Sequence, residues 1–195
     1  MSAGRLRVDK RGAVGWIVFD QPAKMNAIND AMWRAIPEAM ARFDADREVR
    51  CVAFRGDGTQ AFAAGADISQ FEEIRDGQAA VGEYDDLLDR VLHSIQDSRK
   101  PSVALIHGFC MGGGLEVALA CDLRYCGELA QFAIPAAKLG PTTSRGTSGC
   151  WRRWGMRARG RSCFSAAATG RRKRWRWGWC IACCPTPSSA PSWMG

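Results

Sequence analysis

Apolar residues in the first 140 positions recur with two different periods, and the alternation between them predicts the layout of the chain. Val14–Phe19 (VGWIVF) concentrates β-branched and aromatic residues between Gly12 and Asp20–Pro22, which predicts a strand. Asn29-Asp30 then offers N-cap chemistry before Ala31–Phe43, where Met32, Ile36, Met40 and Phe43 return at helical spacing. Cys51–Phe54 (CVAF) reads as a buried strand, and after Arg55-Gly56-Asp57-Gly58 comes a loop of small residues, Ala61–Ile68 (AFAAGADI). Tyr84–Asp97 sets Leu87, Leu88, Val91, Leu92 and Ile95 among charged residues, a second amphipathic helix. Pro101–Ile106 (PSVALI) is a third buried strand, leading through His107-Gly108-Phe109-Cys110 and Met111-Gly112-Gly113-Gly114 into the apolar run Leu115–Cys121. Asp122–Tyr125 and Ala130–Ile134 read as short strands. Strands alternating with helices predict α/β layers around a largely parallel sheet.

This patterning stops near Gly140, and composition changes at the same place. Residues 1–140 hold 16 Lys+Arg and all 20 Asp+Glu, whereas residues 141–195 hold 11 Lys+Arg and no acid. Six of the eight Trp also lie in the tail. The net charge of +7 therefore belongs to the tail, and the chain divides into a patterned core, 1–140, and an Arg/Trp/Cys-rich segment, 141–195. Met1–Lys10 lacks the apolar core of a secretory signal, and no apolar run of membrane-spanning length occurs. Cys51, Cys110, Cys121 and Cys126 sit among apolar or small residues, as reduced buried thiols do. The expectation is a cytoplasmic protein without a membrane span.

Two segments carry candidate chemistry. A small-residue loop such as Ala61–Ile68 lets backbone N–H groups approach a ligand, although the same composition also describes a plain surface loop. Gly108–Glu116 (GFCMGGGLE) puts consecutive glycines between a strand and an apolar helix, exposing N–H donors where the helix dipole is positive. That place suits a phosphate or a developing oxyanion. Glu116, in the first turn, is either favourable with the dipole or, if buried, a proton-transfer group with a raised pKa. The glycines lack the Lys-Ser/Thr of a P-loop and the spacing of a dinucleotide fingerprint, and no Gly-x-Ser-x-Gly elbow occurs here. The two histidines, His93 and His107, read as a helix-surface and a strand-end residue.

Four collinear segments, Pro22–Ile28 (PAKMNAI), Ala61–Ile68, Pro101–Glu116 and Ala118–Gly140, resemble the crotonase superfamily, the enoyl-CoA hydratase/isomerase family. The resemblance implies a crotonase-like α/β spiral of ββα units, as in the ClpP/crotonase fold, with its C-terminal helical region missing or out of frame. It implies that the amides of Ala66 and Gly113 form an oxyanion hole for an acyl-CoA thioester, and that Glu116 handles a proton. Ala64, Ala66, Asp67 and Ile68 would line the adenine and pantetheine path of CoA, and Met111, Gly112 and Gly113 would also bind the substrate or its CoA. Lys24, Met25 and Ala27 would lie near the same ligand, with the Lys24 ammonium meeting its phosphates. Coenzyme A would enter as part of the substrate, with no other cofactor and no metal, and the family's assembly is a homotrimer or hexamer. The family's second hydratase glutamate should follow Phe132-Ala133-Ile134-Pro135, but Ala136 stands there. Hydration of a 2-enoyl-CoA therefore shares the field with isomerisation, with other acyl-CoA lyase or hydrolase chemistry, and with an inactive acyl-CoA-binding remnant.

The tail admits three readings. Arg171–Trp179 (RRKRWRWGW) interleaves basic and aromatic residues, as nucleic-acid-binding segments do. Cys180, Cys183 and Cys184 suggest a metal, but no His follows residue 107 and a fourth ligand is missing. The third reading is a frameshift near Gly140. GC-rich codons for Lys173–Gly195, read one base out of step, can give EALAMGLVHRVLPDAELGALVDG, an amphipathic string containing acids. It resembles the late helix-and-strand region of crotonase-family chains, which covers the acyl pocket and forms the trimer contacts. Without that region the chain is expected to be poorly soluble and slow. Sequencing the coding DNA through codon 140 should reveal a second open frame continuing past it; a single frame with no competitor removes the frameshift.

Overall fold

The structure, a computed structural model, describes residues 4–67, 69, 78–133 and 182–184. It opens with an antiparallel hairpin of β1 (Arg5–Arg11) and β2 (Val14–Asp20). Strand β1 escapes a hydrophobic reading because RLRVDKR has only two apolar residues. At a sheet edge those suffice: Leu6 and Val8 pack on the core while Arg7 reaches Asp20 and Asp57. A charged edge also discourages pairing with foreign strands.

From β2 onward the large sheet is parallel, in the order β1-β2-β3-β5-β7-β9, with β3 at Cys51–Gly56, β5 at Ser102–Ile106, β7 at Leu123–Gly127 and β9 at Ala182–Cys184. Parallel neighbours need long crossovers, and helices α1 (Asp30–Ala45) and α2 (Gln78–Gln96) supply two of them. After each of β3, β5 and β7 the chain adds a short strand to a second, three-stranded parallel sheet. These strands are β4 (Ala61–Ala63), β6 (Phe109–Met111) and β8 (Gln131–Ala133). The result is the spiral of ββα units implied by the resemblance. Strands β4 and β6 occupy what the sequence reads as loop and as approach to a helix.

Helix α1 buries Met32, Trp33, Ile36, Ala39, Met40 and Phe43, the face set by their helical spacing. Phe19 and Phe62 meet edge to face at 5.6 Å, locking the large sheet to the small one. A short helix, α3 (Gly113–Ala120), descends from β6 into this core. Its last carbonyls, of Ala118, Leu119 and Cys121, accept hydrogen bonds from the buried Arg124 guanidinium. Asp122 accepts from the amide and hydroxyl of Ser102, both at 2.8 Å, so the far end of α3 is tied to β5.

Cys51, Cys110 and Cys121 are free, and burial pushes the thiols of Cys110 and Cys121 up. Cys126 departs from the reduced reading and is disulfide-bonded. In the backbone register of the parallel pair β7 and β9, Cys126 stands beside Cys183. Of the tail, only β9 lies among the described residues. No helix among them is long and apolar enough to cross a membrane.

Asn29 starts α1 twice over: its side-chain oxygen accepts from the Met32 amide at 2.8 Å, and its side-chain NH₂ donates to the Gly4 carbonyl at 2.8 Å. Asn29→Ala should lower stability by about 1–2 kcal/mol, read as a lower urea midpoint with an unchanged slope; an unmoved midpoint would show that the cap contributes nothing.

Candidate functional site

The site begins where the chain turns from β2 into α1. Pro22–Lys24 forms one 3-10 turn, and Met25 and Asn26 follow in the left-handed region, at φ of 51° and 56°. Asn tolerates that conformation better than most residues. Here it is also buried and bonded on every side. Its NH₂ donates to the carbonyls of Ala61 (2.7 Å) and Asp57 (2.9 Å), and its oxygen accepts from the Gln21 amide (3.1 Å). This side chain fastens the Pro22–Ile28 segment to the Ala61–Asp67 segment. It was not among the sequence-derived site residues, although an Asn inside a small-residue turn was a usable signal.

The two segments then run side by side. The Ala64 amide donates to the Met25 carbonyl (3.0 Å), the Ile28 amide to Gly65 (2.7 Å), and the Asp67 amide to Ile28 (3.0 Å). The last two bonds make a parallel bridge between Ile28 and Ala66. In such a bridge the residues flanking Ala66 supply the hydrogen bonds, so the amide of Ala66 itself faces the opposite way.

On that opposite side stands the start of α3. Gly112 is its N-cap, with φ of 50° and ψ of −124°, and its amide is taken by the Ala133 carbonyl at 3.0 Å. Gly113 is the first helical residue, whose N–H has no acceptor within the helix. The loops meet closely: a Cβ at Gly65 would lie 3.3 Å from the Met111 carbonyl oxygen, and one at Gly113 would lie 3.9 Å from the Ala66 nitrogen. Two backbone donors from different segments are thus brought together at the positive end of a helix, a combination suited to an anionic oxygen. Ala64, Ala66, Met111, Gly112, Gly113 and Glu116 are all partly accessible, whereas Ala27 is buried and Met25 is 44% exposed.

Glu116 lies one turn into α3, as expected. Facing it from α2 is Tyr84, packed against the core. Burial pushes its phenol above the usual tyrosine range, and the charges of Glu116, Asp30 and Asp85 add to the shift. The phenol therefore stays protonated and can donate a hydrogen bond to an oxygen nearby. Sequence reasoning passed over Tyr84 because nothing in a helix pattern indicates which carboxylate it will meet.

Lys24 and Asp67 were read as ligand contacts, and the structure bonds them to each other. The Lys24 ammonium donates to Asp67 at 2.7 Å and to the Ser69 hydroxyl at 2.8 Å, and Gln21 donates to the same carboxylate at 3.1 Å. The Asp67 side chain is 8% exposed while Lys24 is 48% exposed. Burial pushes the Asp67 carboxyl up, but the bonds from Lys24, Ser69 and Gln21 outweigh it and bring it down to about 2. Ile68 and Ala136 lie outside the described residues. Among those residues no cluster of three His, Cys, Asp or Glu is arranged to hold a metal.

Comparison with known proteins identifies the family and the fold. The family model described as Enoyl-CoA hydratase/isomerase matches residues 9–188. A probable enoyl-CoA hydratase of Rhizobium meliloti (strain 1021) is 37% identical over 150 residues, 76% of this chain and 56% of the relative. A carnitinyl-CoA dehydratase of Salmonella enteritidis is 37% identical over 135 residues, 69% of this chain and 50% of the relative. Among solved structures, a putative enoyl-CoA hydratase/isomerase family protein from Hyphomonas neptunium superposes with a TM-score of 0.73 at 36% identity, covering 76% of this chain and 57% of that one. The chain spans about half the length of the curated relatives it matches.

The Asp67 ion pair has a pH signature. Because its carboxyl is depressed from about 3.9 in the unfolded chain to about 2, its contribution to stability is full above about pH 4 and is lost as pH falls through 2. The urea midpoint of the wild type should therefore drop further between pH 5 and pH 2 than that of Asp67→Asn; parallel drops would mean that the carboxylate gains nothing from its partners.

Proposed function

The chain belongs to the enoyl-CoA hydratase/isomerase family, and on that premise we propose that it binds an acyl-CoA thioester and stabilises its enolate. The observation that carries this reading is the Ile28–Ala66 bridge, which turns the Ala66 amide away from the Ile28 segment, with Gly113 close by at the start of α3. Two N–H donors on the thioester oxygen draw electron density from the carbonyl and acidify the α-carbon. Glu116, in the first turn of the helix that supplies one donor, takes the α-proton, and the electron pair of the broken C–H bond moves onto the oxygen held by the amides. The hole binds that oxygen more tightly as its charge grows, which is the condition for lowering a barrier rather than only binding substrate.

Hydration of a 2-enoyl-CoA is the principal reaction on this reading. One residue favours a second: Ala136 replaces the carboxylate that two-carboxylate addition of water would use, which favours shifting a double bond. Coenzyme A enters with the substrate and no other cofactor is required. The setting is the cytoplasm, and the family's homotrimer or hexamer is impaired here, because its trimer contacts come from the region beyond Gly140. The 1–140 core, with 16 Lys+Arg against 20 Asp+Glu, offers nucleic acid no positive balance, and the distant alternative of nucleic-acid binding rests on the basic tail alone.

The test follows the α-carbon rather than a particular product, so that slow turnover still registers. The full chain incubated with butyryl-CoA in D₂O should place deuterium at the α-carbon well above the background rate, measured by mass spectrometry. Glu116→Gln should slow this about 100-fold or more. Unchanged exchange in the variant would exclude Glu116 as the base, and no exchange in the wild type would overturn the enolate reading.

A further inference from the structure

Trp33 is the largest fully buried side chain in the structure, 1% exposed, and it belongs to α1 rather than to either loop of the site. A Cβ built on Gly113 would stand 2.8 Å from its Cζ2 and 3.0 Å from its Cη2. The six-membered edge of the indole therefore occupies the space that any side chain at position 113 would need. Such a contact could be relieved cheaply only if the ring could swing aside. This ring is a rigid group locked among core side chains, so it cannot.

The second observation concerns the other ring of the same indole. Its Nε1–H is buried and has no hydrogen-bond partner among the described residues. Leaving a buried donor unsatisfied costs about 1–3 kcal/mol, and a Phe or Leu in this place would avoid that cost. What those residues lack is the outer edge of the indole, the part that touches Gly113.

We propose that Trp33 is a positioning residue for the reaction: its ring edge backs Gly113 and keeps that amide aimed at the thioester oxygen beside the Ala66 amide. The inference rests on the enolate reading above and adds to it a reason for Gly at 113 and a reason for Trp at 33. The rigid indole edge stands against Gly113, so the donor does not drift as charge develops on the oxygen. A water molecule is likewise kept from the back of that peptide. An error of about 1 Å in such placement costs on the order of 100-fold in rate.

A size exchange tests this in the full chain, using α-deuterium exchange into butyryl-CoA and thermal melts. Trp33→Phe withdraws the ring edge while keeping an aromatic core residue. It should slow exchange at saturating thioester about 10- to 100-fold, with the half-saturating concentration changed less than about threefold. Gly113→Ala should cut exchange and lower Tm, because its methyl meets the indole. Combining the two should recover Tm and at least about tenfold of the exchange lost in Gly113→Ala, since Phe vacates the space the methyl needs. Trp33→Met serves as a second background for the same exchange should Trp33→Phe melt below the assay temperature.

Wild-type exchange in the single variant, or a double variant no faster than Gly113→Ala, overturns the positioning role and leaves the enolate reading standing. A fall confined to the half-saturating concentration overturns it too, assigning Trp33 to binding alone. Absence of exchange in the wild type removes both.

Discussion

The Asn26 side chain is the tie on which the site depends. It is 1% exposed, sits at a left-handed backbone position, and spends its amide on three backbone groups from three stretches of chain. Each such bond contributes about 0.5–1.5 kcal/mol net, but the asymmetry matters more, because losing the side chain would take a partner from the buried Ala61 carbonyl and from the part-buried Asp57 carbonyl and Gln21 amide. A fully satisfied buried polar group also permits only one arrangement of the segments it joins. With Pro22–Ile28 fastened to Ala61–Asp67, the Ile28–Ala66 bridge forms in a single register. That register decides which way the Ala66 amide points. A slip of one residue would offer the Gly65 or Asp67 amide instead and turn the donor off the site.

The other donor is located by the packing of its helix and by hydrogen bonds at the two ends of that helix. Helix α3 enters against β4 so closely that a Cβ at Gly114 would lie 2.6 Å from that of Ala63. Its far end is held through the Arg124 guanidinium and the Ser102–Asp122 pair. A helix of eight residues has little stability of its own. It is fixed here because both ends are tied and its sides, Leu115, Val117, Ala118 and Leu119, are buried. The positive end of α3 is thereby delivered to one place, and the apolar surroundings keep its dipole from being screened by water.

Much of this was legible in the sequence, for identifiable reasons. Met32, Ile36, Met40 and Phe43 lie on the buried face of α1 because a 3.6-residue period leaves them no other side. The strands at Val14, Cys51 and Ser102 stand out because central parallel strands are apolar on both faces. Strand β1 was missed because an edge strand needs only one apolar face, and β4 and β6 because three residues cannot establish a period. At the site, glycine and alanine marked where backbone amides approach. Periodicity is silent on the contacts that cross between elements, namely Tyr84 facing Glu116, Trp33 behind Gly113, and Lys24 turned to Asp67. Each depends on which residues the completed spiral makes neighbours.

The Lys24–Asp67 pair shows why such cross-element contacts matter for chemistry. Asp67 follows Ala66 directly, so a carboxylate stands one residue from the amide that the proposed enolate reading uses as a donor. Two like charges 4 Å apart repel by about 4 kcal/mol at an effective dielectric constant of 20, comparable to the benefit of one oxyanion donor. An isolated Asp there would work against the hole. Bonded to Lys24, Ser69 and Gln21, the carboxylate is neutralised, its oxygens are occupied, and its acidity is pushed to about 2, so the balance does not vary near neutral pH. Asp67 in turn earns its place structurally: it holds Lys24 and Gln21 against the loop whose next residues, Asn26 and Ile28, orient Ala66. Lys24, at 48% exposure, keeps one flank in water. The pair is thus neutral in net charge and structural toward the loop, a combination that a lone lysine or a lone aspartate could not provide.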